Sequence, residues 1–170
     1  AAGRPVNEGS LGHPYFCSRP CVFFTTGACA NADRCTYCHM AHQKRPMHLD
    51  KRNRSLFEGM ETSMRVGLLM SLIRQKLLDL DLLNDMEESV EELAEACGVT
   101  DRAAEKLAAR KSDARLRSAL ASMALRPLLT MLERIVGAKS PAAADAAHAL
   151  MTRCRAMFDA RSMGLDAGTA

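Results

Sequence analysis

Cys17, Cys21, Cys29, Cys35, Cys38, His39 and His42 are packed into one short stretch that offers little else to fold around. From His13 to about Pro46 the chain shows no helical or strand periodicity and carries Pro14, Pro20 and Gly27. A segment this irregular cannot be ordered by apolar burial and needs a staple. Disulfides serve that purpose in small secreted domains, but cysteines interleaved with imidazoles point to metal chemistry instead. Thiolates and neutral imidazole suit Zn²⁺, and four such ligands complete a tetrahedral structural site with no position left for water or substrate. Spacing alone leaves two registers open. One runs from Cys21 through seven residues to Cys29, five to Cys35 and three to His39. In the other, Cys38 and His42 repeat the three-residue gap one register later.

Three further residues separate the registers. Phe24 stands three after Cys21, Gly27 two before Cys29 and Tyr37 two before His39. With them, the segment from Cys21 to His39 resembles the CCCH zinc-finger family, whose pattern is C-x(7–9)-C-x(4–6)-C-x3-H with an aromatic, a glycine and an aromatic at those places. The resemblance implies one Zn²⁺ held by Cys21, Cys29, Cys35 and His39. Ala32 departs from the pattern where the family usually has glycine, and a turn made by Asn31 is the expected substitute. With zinc saturated, Cys17 and Cys38 are expected to be free thiols half-buried beside the metal, an alternative ligand set or an iron–sulfur centre being the other readings.

Fingers of that family commonly bind single-stranded RNA, which the resemblance carries to Phe24 and Tyr37 as stacking platforms. A stacked base is worth about 1–3 kcal/mol, and nearby cations hold phosphates. Arg19, Arg34, Lys44, Arg45, Lys51, Arg52 and Arg54 are the candidate cations. The competing reading makes Phe23, Phe24 and Tyr37 the small core of the finger and the charges a solvated face.

The remainder reads as helical. Only 4% of residues are aromatic and Trp is absent, a composition that favours helices over sheets. The expected architecture is mainly α: a flexible lead over 1–12, the finger with its basic flank over 13–48, an α-helical bundle over 49–163 and a flexible tail over 164–170. Asp50 is placed to cap a first helix, and Met64, Leu68, Ile73, Leu77 and Leu80 mark a long second one. Asn84 or Asp85 would cap a third, with Met86, Val90, Leu93 and Cys97 inward and Gly98 at its end. Thr100 opens a short helix to about Arg110. A segment from Ser112 to Val136 should be kinked or split by Pro127, and Ser140 with Pro141 starts a last helix reaching about Met163. Cys97 and Cys154 lie in apolar patterns and read as buried, inert thiols.

Charge is uneven: residues 1–60 hold 8 basic against 4 acidic side chains, 61–100 hold 3 against 9, and 101–170 hold 12 against 7. The acidic middle repels RNA and suits a basic protein surface. Two functions fit. In the first, the finger binds single-stranded RNA and the bundle takes a protein partner. In the second, finger and bundle are docking surfaces of a structural subunit in a large assembly, such as an organellar ribosome or a photosynthetic or respiratory complex. No carboxylate pair, nucleophile–base spacing or Gly-rich phosphate loop points to an enzyme or a small-molecule substrate. No apolar run approaches the roughly 20 residues of a membrane span. Thiolate ligands fit a reducing compartment, nuclear, cytoplasmic or organellar; Ala1 in place of Met reads as a processed form or a fragment.

Overall fold

The computed structural model describes residues 7–42, 48–99, 108 and 111–162. Among them the fold is mainly α, with no strand and a single isolated bridge between Pro20 and Cys38. Seven α-helices are described: α1 Val22–Thr25, α2 Lys51–Glu58, α3 Thr62–Asp79, α4 Leu83–Ala96, α5 Ala114–Ala121, α6 Leu125–Gly137 and α7 Pro141–Ser162. Two single 3-10 turns, Glu8–Ser10 and Ala32–Arg34, lie in the cysteine-rich region. The chain divides into two compact units, one of residues 1–46 with 152–170, the other of residues 47–151.

The second unit is built on apolar burial. Helix α3 contributes Val66, Leu68, Leu69, Met70, Leu72, Ile73 and Leu77 to the interior and packs against α4 and α6, while α2 packs against α5. Asp50 caps α2 as expected, its carboxylate accepting from the Asn53 N–H at 2.7 Å. Asp113 caps α5 by accepting from the N–H groups of Arg115 and Leu116, bonds that hold its carboxyl below the usual range, the Leu116 bond foremost. Arg74 of α3 forks onto Glu91 of α4 at 3.3 and 3.4 Å. Gly98, at φ +69°, follows α4. That helix begins at Leu83 behind Leu82, so neither Asn84 nor Asp85 is its cap. The segment after Ser112 is divided as foreseen: α5 ends at Ala121 and α6 restarts at Leu125, with Pro127 in its first turn where a missing N–H costs nothing. Ser140 Oγ accepts from Ala143 N–H at the head of α7. The helix expected from Thr100 to Arg110 and the tail over 164–170 lie outside the described residues.

In the first unit, residues 7–12 depart from the flexible lead that the sequence suggests. Asn7, Gly9 and Ser10 are buried, although none carries an apolar side chain. Asn7 Nδ2 donates to the carbonyls of Cys35 and Tyr37, and the Gly9 N–H donates to the Cys35 carbonyl at 3.0 Å. Gly9 lies so close to Thr36 and Tyr37 that any Cβ would collide with their backbone. The end of α7 belongs to this unit rather than to the bundle assigned over 49–163. Phe158 meets Tyr15 and Phe16 edge-on or tilted, Asp159 accepts from the Gly12 N–H at 2.8 Å, and Arg155 donates to the Glu8 carbonyl.

Candidate metal centre

Backbone pairing decides which cysteines and histidines meet. The Cys21 N–H donates to the Cys38 carbonyl at 2.8 Å and the Cys38 N–H to the Arg19 carbonyl at 2.9 Å, so the start and end of the cysteine-rich segment lie side by side. After the single turn of α1, Gly27 takes φ +72° and the Ala28 N–H closes back on the Phe23 carbonyl, which returns the chain to Cys29. The turn Ala32–Arg34 then delivers Cys35. As a result Cys21, Cys29, Cys35 and His39 each offer one ligand atom, all within 4.8 Å of one another.

These separations suit a tetrahedral ion. Zn–S bonds of about 2.3 Å and Zn–N bonds of about 2.0–2.1 Å set tetrahedral edges of roughly 3.8 Å between sulfurs and roughly 3.6 Å between sulfur and nitrogen. The Cys21 and Cys35 sulfurs are 3.9 Å apart. His39 Nε2 is buried without a hydrogen-bond partner, an arrangement that proteins avoid unless something else satisfies the nitrogen. The thiols are in conflict as well. The Asn31 N–H is the first cause of a lowered Cys29 pKa, with Cys35 and Cys21 adding to it. The Tyr37 N–H pulls Cys35 the same way, but burial and the neighbouring Cys29 and Cys21 outweigh it and the net shift is upward. Three thiolates cannot share one point without a cation, and a divalent ion would resolve this conflict together with the orphaned imidazole nitrogen.

The aromatic residues are placed at the surface. Phe24 stacks on the His39 ring, centroids 4.0 Å apart and planes 9° from parallel, and still exposes 42% of its surface. Phe23 is 63% exposed and Tyr37 53%. Phe24, Gly27, Cys29, Ala32, Asp33 and His39 line an open cleft of about 300 Å³. Arg19 and Arg34 are exposed in this unit, whereas Lys51, Arg52 and Arg54 lie on α2 of the other unit, so these five are not gathered into one unit. Lys44 and Arg45 fall outside the described residues. The turn expected from Asn31 is made otherwise: Asn31 has φ −89° and Ala32 itself enters the left-handed region at φ +43°. This is the position where the resemblance called for glycine, which explains that preference.

Cys17 and Cys38, expected as free thiols beside the first cluster, take part in a second convergence. His13, Cys17, Cys38 and His42 also bring one ligand atom each to within 4.8 Å of the others. Two Cys/His clusters are thus positioned to bind metal ions. Hydrogen bonding to Cys17 is the first cause that lowers the Cys38 thiol to about 4; burial opposes it, and Ser10, the Met40 N–H and His42 add to the lowering. Cys97 and Cys154 behave differently: burial pushes them up to about 11 and about 12, as inert thiols require. His13 is the member of this second cluster that sequence reasoning missed. Its signal was the mirrored spacing, His-x3-Cys at residues 13–17 and Cys-x3-His at 38–42.

Compared with known proteins, the chain matches no family model, no curated protein and no solved structure. The likeness to CCCH fingers therefore rests on the residue spacing from Cys21 to His39 alone.

Proposed function

We propose that Cys21, Cys29, Cys35 and His39 hold a structural Zn²⁺ and that the unit so ordered binds single-stranded RNA without catalysing a reaction. The observation that carries this reading is the exposure of Phe23, Phe24 and Tyr37 beside the cluster. Three exposed aromatics within so small a unit are suited to a ligand that covers them. In the competing account they would be the core of the finger, but all three rings are exposed, and it is the Phe24 ring that stacks on a residue of the cluster, His39. Bases stack on such rings regardless of sequence, and Arg19 and Arg34 supply phosphate contacts. The four ligands close the coordination sphere, so the ion has an ordering role rather than a Lewis-acid one. In the helical unit, Glu88, Glu92 and Glu95 on the exposed face of α4 suit a basic protein partner.

Titrating the zinc-loaded protein with a short single-stranded RNA at rising salt tests this. Binding should weaken as salt rises, and Phe23→Ala and Tyr37→Ala should each weaken it roughly 5- to 150-fold, the loss of about 1–3 kcal/mol per stacked base, with zinc content unchanged. Absence of binding at low salt would leave the aromatic surface to a protein partner and overturn the RNA reading.

A further inference from the structure

We propose that His13, Cys17, Cys38 and His42 hold a second zinc ion, so that residues 7–42 form a two-zinc module in which the N-terminal segment is an integral part. The distances fit coordination. His13 Nδ1 lies 3.5 Å from both Cys17 Sγ and Cys38 Sγ, and His42 Nε2 lies 3.8 Å from Cys17 Sγ. The sulfur–nitrogen edge of a tetrahedral zinc site is roughly 3.6 Å. The two imidazoles cross at 86° with centroids 4.7 Å apart, and each brings a nitrogen to the Cys17 sulfur.

The donor set identifies the ion. Two thiolates and two neutral imidazoles are a borderline-soft set that suits Zn²⁺ and fills its sphere. Two thiolate charges also balance the dication, so the loaded site is neutral and burying Cys38 beside it carries no charge penalty.

The local fold shows what such an ion would accomplish. His13 and Cys17 come from the chain just after the Asn7–Ser10 segment, and Cys38 and His42 from the far end of the finger. Phe16 is the one large apolar side chain fully buried among the described residues 7–42, too little to hold these ends together. Ligands to the two ions occupy adjacent residues, Cys38 for one and His39 for the other. Ser10 lies between the clusters, its Oγ accepting from the His39 N–H at 2.9 Å and sitting 3.5 Å from Cys38 Sγ.

Native mass spectrometry of the purified full chain, with cobalt substitution as a second readout, tests the proposal. Two zinc ions per chain are expected, falling to one in His13→Ala and Cys17→Ser. Cys29→Ser should also retain one, which separates the two sites. His42→Cys exchanges one zinc ligand for another: it should keep two ions and strengthen the cobalt thiolate charge-transfer band. The proposal is overturned if the wild-type chain holds a single zinc that His13→Ala and Cys17→Ser leave in place, or if His42→Cys leaves the band unchanged. An undiminished count in Cys29→Ser would sink the first site instead.

Discussion

In the helical unit the buried side chains of α3, α4 and α6 are leucine, methionine, isoleucine and valine almost throughout. Between Asn7 and His42 the buried residues are Asn7, Gly9, Ser10, Gly12, Phe16, Cys21, Cys35, Cys38 and His39, nearly all of them glycines or residues with a polar atom or a thiol. The first set gains free energy simply by leaving water, at about 25 cal/mol per Å². The second gains little that way and leaves the His39 Nε2 nitrogen unsatisfied unless an ion binds it. The two interiors differ in kind, and on the proposed reading only one of the two routes to order depends on a ligand.

Removing metal should break this comparison most visibly. Structural zinc is worth an apparent ~10–16 kcal/mol in finger-sized peptides, more than a segment with one buried phenylalanine can replace. A strong chelator under reducing conditions should collapse the amide signals of residues 7–42 to unfolded positions, while the helical signal of α2 to α6 persists. Amide dispersion that survived metal removal would show that the polar contacts of Asn7 and Ser10 suffice alone.

A core truncation probes the other side. Leu132 is fully buried in α6, the helix that packs on α3, and Leu132→Ala should cost about 2–5 kcal/mol in denaturant unfolding of the helical unit. Zinc content should not change. Loss of zinc alongside loss of stability would mean that the two units do not fold independently.

The two routes also differ in how far the sequence reveals them. Helical periodicity and end signals were readable because each is local: Asp50 caps the residue three ahead of it, Gly98 follows α4, and Ser140 with Pro141 opens α7. Leu82 in the capping place of α4 has no such signal, since its side chain bonds no backbone group. The cluster of Cys21, Cys29, Cys35 and His39 was readable because its spacing is also local. Asn7 to Ser10 read as a loose lead because burial by hydrogen bonding and close backbone approach leaves no hydrophobic pattern. Gly9 looks like any flexible glycine until Thr36 and Tyr37 lie against it. His13 pairs with residues far along the chain, a relation that the backbone bonds joining Arg19 and Cys21 to Cys38 bring about and spacing does not display.

The smallest effect concerns the strained turn within the unit that holds the two Cys/His clusters. Ala32 at φ +43° places its Cβ too near the following carbonyl, a conformation that costs an L-residue about 1–2 kcal/mol. Glycine carries no such penalty but loses more freedom on ordering, by roughly 0.5–1 kcal/mol relative to alanine. The steric gain exceeds the entropic loss, so Ala32→Gly should stabilise the loaded finger by about 0.5–1 kcal/mol. If the turn forms only with zinc bound, this gain should appear as an approximately two- to five-fold higher zinc affinity in competition with a chelator, with no change in the unfolding of the helical unit. Equal affinities would mean that the turn is already formed without metal, placing that part of the finger on the ligand-independent side of the comparison.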